Sequence, residues 1–89
     1  MTPWELVVAA PATRSLDRLS EGVAAAIVEF MLGPLVEQPT VVGKPLRREL
    51  TGYWSSRRGS YRIVYRLEYE DHRVIVVRIE HRSDVYRRR

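Results

Sequence analysis

The sequence has 89 residues, of which 45% are hydrophobic and 29% charged, and its formal net charge is +4 at pH 7. This length predicts one domain, residues 1–89, with a modest core, and no apolar run is long enough to cross a bilayer, so no membrane partner is expected. The sequence contains no cysteine and only two histidines, His72 and His81, which excludes disulfides and thiol nucleophiles and predicts neither a metal site nor a cofactor.

The first part of the chain is predicted to form one strand and two helices. Trp4 to Ala10 has the length and β-branched content of a strand, and Ala12 to Leu19 carries apolar residues at helical spacing. Ser20 is predicted to cap a longer helix, which Gly33-Pro34 should end or kink. Its apolar stripe is formed by Val23, Ile27, Phe30 and Met31. Because Met1 to Leu6 lacks the features of a signal peptide, we expect a cytoplasmic protein.

The second part of the chain is predicted to form a meander of strands. Gln38 to Pro45 is rich in proline and is predicted to be a connector. Tyr53 to Ser56 is predicted to be a short strand. A tight turn at Arg57 to Ser60 leads into a central strand, Tyr61 to Glu68, and the β-branched segment Arg73 to Ile79 forms the last strand. We therefore predict an α+β fold, in which an antiparallel sheet of about four strands packs against an N-terminal helical hairpin.

The central strand is predicted to have one apolar face and one basic face. Its apolar residues Tyr61, Ile63, Tyr65 and Leu67 alternate with Arg62, Val64 and Arg66. One face can therefore contribute to the core while the other binds an anion. The alternative for Arg62 is an ion pair with Glu80 or Glu68 across the sheet.

The basic residues concentrate in the second half of the chain. The segment from Lys44 onward contains 13 of the 15 basic residues but only six of the 11 acidic ones, and 14 of the 15 are arginines. A guanidinium binds phosphate through two hydrogen bonds and stacks on bases, which favours a nucleic acid as the partner. A generically basic surface is the alternative. The predicted RNA-binding residues are Lys44, Arg47, Arg48, Arg58, Arg82 and Arg87.

RNA cleavage without a metal would require three chemical roles. A base must take the proton of the ribose 2′-hydroxyl, the charge on the phosphorane must be stabilised, and an acid must protonate the departing 5′-oxygen. Arg62, with Arg57 across the turn, suits the second role, and His81 and Tyr86 are candidates for proton transfer. A strictly regular last strand would turn His81 toward the helices, unless the strand ends or bulges at Glu80. For Tyr86 the alternative is an aromatic anchor that holds the tail on the sheet.

The order of these elements and three motifs resemble the RelE toxins of the RelE/ParE superfamily. The motifs are Gly43-Lys44-Pro45-Leu46, the stretch from Arg57 to Tyr65, and the stretch from His81 to Arg87. The resemblance implies a cognate antitoxin that wraps the toxin, contact with operator DNA only through that antitoxin, and cleavage of mRNA in the ribosomal A site. It assigns transition-state stabilisation to Arg62 and catalysis or base stacking to Tyr86.

One feature departs from the RelE pattern and leaves two other functions open. RelE enzymes carry a lysine pair on the strand that here reads Tyr53-Trp54-Ser55-Ser56, so His81 becomes the candidate general base. The first alternative is a ParE-like toxin that inhibits gyrase without nuclease activity. The second is a non-catalytic module that binds the antitoxin in a DNA complex.

Overall fold

A five-stranded mixed sheet forms the centre of the computed structural model, which describes residues 2–83. The strands are β1 (Glu5–Val8), β2 (Lys44–Pro45), β3 (Tyr53–Arg58), β4 (Tyr61–Glu68) and β5 (Arg73–His81), in the spatial order β1-β5-β4-β3-β2. Strands β3, β4 and β5 form the predicted antiparallel meander, β2 pairs antiparallel with β3 within the segment predicted as a connector, and β1 pairs in parallel with β5. The α+β class is confirmed, with one strand more than expected and a parallel pair at the edge.

The helices lie between β1 and β2 in the chain. They are α1 (Ala10–Asp17), α2 (Glu21–Phe30) and α3 (Pro39–Val42), and a 3-10 turn follows at Arg48–Leu50. Ser20 caps α2 as predicted, because its side-chain oxygen accepts a hydrogen bond from the Val23 amide at 3.4 Å. Beyond α2 the chain widens into a π-helical segment, Met31–Leu35, which contains Pro34. A wider turn accommodates a residue that has no amide donor, so the helix changes form there rather than ending.

Strand β4 packs one face against the helices. Its side chains Ile63 and Tyr65 are completely buried, as the alternating pattern predicted. The Tyr65 hydroxyl donates a 2.6 Å hydrogen bond to the Pro39 carbonyl oxygen at the start of α3. Burial raises the pKa of Tyr65 to about 12. The other buried members of this core are Ala12, Ile27, Phe30, Met31, Leu35, Val74, Val76 and Ile79.

A β-bulge in β5 fixes which residues of this strand face the helices. Val64 is the partner of Arg78, but the next residue, Tyr65, is the partner of Val76, so Val77 is an extra residue. Before the bulge Val74 and Val76 face the helices, and after it Ile79 and His81 do so. The strand continues through Glu80 to His81, so the alternative of an end or bulge at Glu80 is not observed.

The backbone at Gly43 packs closely against the Tyr65 side chain. A Cβ atom at Gly43 would overlap the Tyr65 hydroxyl and would lie 2.9 Å from the Ser55 carbonyl oxygen. The backbone at Gly43 is extended, with φ of −128°, so space rather than backbone conformation requires glycine here. The sequence motif that begins at Gly43 therefore has a packing role.

We expect Gly43→Ala to lower the free energy of unfolding by about 1–3 kcal/mol, because the Tyr65 ring must move and its buried hydrogen bond is distorted. Gly22→Ala is the matched control, since nothing lies within 4 Å of a Cβ placed there and alanine favours the helix by up to about 1 kcal/mol. Urea unfolding of the two variants measures the difference. Equal stabilities would contradict this account of Gly43.

The raised pKa of Tyr65 predicts a loss of stability in alkali. In the unfolded chain the phenol ionises near its ordinary value of 10.0, whereas in the fold its pKa is about 12. The unfolded state therefore releases a proton first, and stability falls between these pH values by on the order of 2 kcal/mol. Urea unfolding between pH 8 and 11.5 measures the slope. We expect Tyr65→Phe to remove it and Tyr69→Phe, at an exposed position, to retain it.

Candidate nucleic-acid interface

The sheet face opposite α1 and α2, here called the open face, is strongly basic. Cα partners on neighbouring strands point to the same side of a sheet, so the register identifies its members from Arg62 outward. The charged members are Glu5, Lys44, Arg57, Arg62, Arg66, Glu68, Arg73, Arg78 and Glu80. Among the described residues of this face, six cations face three carboxylates, so the face can attract a polyanion.

Arg57, Arg62 and Glu80 form one row across the open face. Arg57 is the Cα partner of Arg62 on β3, and Glu80 is its partner on β5. The Arg62 Nη2 atom donates to Glu80 Oε1 at 3.2 Å, and the Arg78 Nη1 atom donates to Glu80 Oε2 at 3.1 Å. Of the two ion-pair partners predicted for Arg62, Glu80 is the one observed, and Glu68 pairs with Arg66 and Arg73 instead.

The Glu80 carboxylate is buried yet ionised. Only 8% of its side chain is exposed, against 31% for Arg62. Burial alone would raise the pKa of Glu80, but hydrogen bonds from Arg78 and Arg62, together with their positive charges, outweigh it and lower the pKa. The Nε atom of Arg62 is buried and has no hydrogen-bond partner within residues 2–83.

His81 lies on the other face of the sheet from Arg62. Its ring meets the ring of Tyr61, its Cα partner, edge to face, with 5.0 Å between centroids. The Ser83 amide donates to His81 Nδ1 at 3.1 Å, so this nitrogen is an acceptor and the neutral ring carries its proton on Nε2. The residues that the structure describes therefore do not bring His81 and Arg62 together on one phosphate.

The predicted RNA-binding residues occupy different sides of the fold. Lys44 lies on the open face, whereas Arg58 lies on the helix side, with its guanidinium 5.5 Å from the centroid of the Phe30 ring. Arg47 and Arg48 are exposed between β2 and β3. Arg82 is exposed beyond β5, where its amide donates to the Ser60 carbonyl oxygen at 2.8 Å. Tyr86 and Arg87 lie outside the described residues.

The site residues predicted from the sequence did not include three arginines and three carboxylates of the open face, which are Arg66, Arg73, Arg78, Glu5, Glu68 and Glu80. Arg66 was recognised as part of the basic stripe on β4 but not assigned a binding role. Counting back from Ile79, whose side chain is buried, would have placed both Arg78 and Glu80 opposite the core. Arg73 shares their face only because the bulge lies between them. The alternation of apolar and charged residues on β4 and β5 was therefore sufficient to place Arg66, Arg78 and Glu80 on the open face.

A shallow groove of about 440 Å³ lies on the helix side of the sheet. It runs between the first turns of α2 and the two-residue turn that joins β3 to β4. Its lining includes Gly22, Val23, Ala26, Arg58 and Tyr61. This groove is mostly apolar and is separated from the open face by the sheet.

Residues 2–83 contain neither a cluster of possible metal ligands nor a helix that could span a membrane. No three histidine, aspartate or glutamate side chains in this range are grouped so that they could hold a metal ion. No helix in the same range has the length and apolar character needed to cross a membrane.

Comparison with known proteins assigns the family. A family model described as the ParE toxin of the type II toxin-antitoxin system, parDE, matches residues 6–86. The Mycobacterium tuberculosis protein named Toxin RelG is 46% identical over 86 residues, which are 97% of this chain and 99% of that protein. Toxin RelE of the same organism is 48% identical over 85 residues, covering 96% of this chain and 88% of that protein.

A solved structure supports the same assignment. A chain in the crystal structure of the toxin-antitoxin complex RelBE2 from Mycobacterium tuberculosis superposes with a TM-score of 0.88 at 44% identity. The match covers 91% of this chain and 100% of that chain. The protein therefore belongs to the RelE/ParE superfamily of type II toxin-antitoxin toxins, and the resemblance seen in the sequence motifs is confirmed.

Proposed function

We propose that this toxin is a ribosome-dependent endoribonuclease that blocks translation by cutting mRNA in the ribosomal A site. The observation that carries the proposal is the adjacent pair Arg57 and Arg62 on a face where cations predominate. The names of two relatives, Toxin RelG and Toxin RelE, at 46% and 48% identity, support a toxin of the RelE type. We place its action in the cytoplasm, where its substrate is found.

The proposed reaction forms a bond between the ribose 2′-oxygen and phosphorus and breaks the bond between phosphorus and the 5′-oxygen. Arg57 and Arg62 stabilise the negative charge that develops on the phosphorane oxygens, because guanidinium groups stay protonated and match phosphate geometry. Proton transfer falls to Tyr86 and to groups of the A site, since His81 lies across the sheet from Arg62. The ribosome supplies the substrate geometry that so small a site cannot impose.

We propose that a cognate antitoxin restrains this activity. The solved structure at 44% identity is of a toxin-antitoxin complex, which supports such a partner here. An acidic or amphipathic segment would suit the open face and the apolar groove beside α2. Contact with operator DNA would then occur only through the antitoxin.

The role of Arg62 can be tested with purified ribosomes and a short message. We expect Arg62→Ala to lower the cleavage rate at the A-site codon by about 100-fold or more, because charge stabilisation in the transition state is lost. Arg58→Ala removes the same charge from the helix side and should cleave at the wild-type rate. Primer extension maps and quantifies the RNA ends. Undiminished cleavage by Arg62→Ala would refute the assigned role, and loss of cleavage in His81→Ala would return His81 to the catalytic set.

The proposed RNA surface can be tested with two neighbouring arginines. Arg57 faces the open side and Arg58 the helix side, so Arg57→Ala and Arg58→Ala carry the same charge change on opposite faces. We expect Arg57→Ala to weaken binding of a single-stranded RNA. The slope of log K against log salt concentration should become less steep by about 0.7, as expected for one lost phosphate contact. Arg58→Ala should leave that slope unchanged. Equal effects would mean that the RNA does not select the open face.

A second candidate function is inhibition of gyrase without nuclease activity. The match of residues 6–86 to the ParE toxin model favours it, as does the separation of His81 from Arg62. On this alternative, the protein would inhibit supercoiling by purified gyrase, and Arg62→Ala would stay toxic in cells with intact mRNA. Cleaved mRNA together with unaffected supercoiling would exclude it.

A further inference from the structure

Among residues 2–83, Glu80 is the carboxylate of the open face that contacts Arg62, and its contacts hold that arginine in a defined direction. Each Glu80 oxygen accepts from a different guanidinium, Oε1 from Arg62 on β4 and Oε2 from Arg78 on its own strand. A carboxylate held at both oxygens cannot rotate without breaking a charge-assisted hydrogen bond. Because Glu80 is 8% exposed, solvent and salt screen these contacts less than they screen a surface ion pair.

The neighbour on the other side, Arg57, acts on Arg62 in the same direction. Arg57 is the Cα partner of Arg62 on β3, and like charges directly opposite each other on neighbouring strands repel. Glu80 occupies the corresponding position on β5, so its attraction and the repulsion from Arg57 both direct the Arg62 guanidinium toward β5, and the favourable energy of the first offsets the cost of the second. Arg62 is thus held between a cation and an anion in one row of the sheet.

The contact with Glu80 leaves part of the Arg62 guanidinium available. Glu80 uses only Nη2, and the Nη1 atom of Arg62 makes no hydrogen bond within the described part of the chain. The side chain is 31% exposed. A phosphate can therefore reach Arg62 from the side of Arg57 without displacing Glu80.

We propose that Glu80 is a positioning residue, which fixes the Arg62 guanidinium on the open face so that its free edge and Arg57 together receive a phosphate. This inference rests on the proposed function of the open face. Glu80 itself does not touch the substrate. Its contribution is to the orientation of Arg62, and hence to the turnover rate rather than to the affinity for RNA.

Glu68 provides a matched control for the test. It also lies on the open face and also pairs with two arginines, with Arg66 at 3.0 Å and with Arg73 at 3.5 Å. It makes no contact with Arg62 among residues 2–83. Glu68→Gln and Glu80→Gln therefore change the charge of the same face by the same amount, but only the second removes the charge that holds Arg62.

The test compares kcat and KM for cleavage of a message on purified ribosomes. Both variants should lower KM by a similar factor, because each removes one negative charge from the RNA surface. Only Glu80→Gln should lower kcat, by about 10- to 100-fold, as expected when a group is misoriented in the active site. Glu80→Asp, which keeps the charge, should recover part of that loss. Equal kcat in Glu80→Gln and Glu68→Gln would overturn the proposal.

A second measurement does not depend on cleavage. In the ¹⁵N-labelled full-length protein without RNA, the side-chain N–H signals of Arg62 should be resolved in the wild type and in Glu68→Gln, because rotation of the guanidinium is restricted. They should broaden or collapse in Glu80→Gln. If Glu80→Gln does not fold, Arg78→Gln, which removes the hydrogen bond from Arg78 to Oε2, should give a smaller change of the same kind. An Arg62 signal that is unchanged in the folded variant would overturn the positioning role.

The two measurements separate this inference from the proposed function. If the wild type does not cleave mRNA but the Arg62 signals respond as expected, the nuclease proposal fails and the orienting role of Glu80 remains. If the wild type cleaves and the two glutamine variants behave alike in both measurements, the nuclease proposal remains and the role of Glu80 fails.

Discussion

Strand β4 must satisfy two opposite environments, and the rest of the fold depends on this constraint. The pleat sends Ile63 and Tyr65 into the core and Arg62 and Arg66 to the other side. The helices have to lie on the first side, because the apolar area there is the main source of stabilisation. The hydroxyl of Tyr65 then requires a buried acceptor, which the Pro39 carbonyl oxygen provides, and this contact fixes α3 over the sheet.

The sequence predicts those features whose cause is local. The alternation of Tyr61 to Glu68 predicted the bounds of β4 correctly, and Ser20 was correctly identified as the cap of α2. Pairings between distant segments were not predicted, since the residue pattern of a strand does not show which other strand it pairs with. The parallel contact between β1 and β5 joins residues at opposite ends of the chain, and the ion pair of Arg62 could be assigned to Glu80 only from the register.

One extra residue in β5 determines the composition of the candidate site. Val74 and Val76 face the helices, so a regular strand would have turned Glu80 toward the helices and His81 toward Arg62. The bulge at Val77 reverses both. Regular alternation from Ile75 to His81 predicted that both residues face the helices. Ile75 in fact lies on the open face, and His81 faces the helices only because the bulge shifts the alternation by one residue. An insertion of one residue thereby exchanges a histidine for a carboxylate beside Arg62.

The distribution of ion pairs indicates where on the open face an incoming anion meets the least competition. On the β5 side, Glu80 and Glu68 each bridge two arginines, and Glu5 adds a contact to Arg73, so these cations already have anionic partners. On the β3 side, Arg57 and Lys44 form no ion pair within residues 2–83. A phosphate therefore gains most where cations without an ion pair border the free edge of Arg62, between β3 and β4. Glu80 on β5, Glu68 on β4 and Glu5 on β1 thus limit the unneutralised basic surface to that strip.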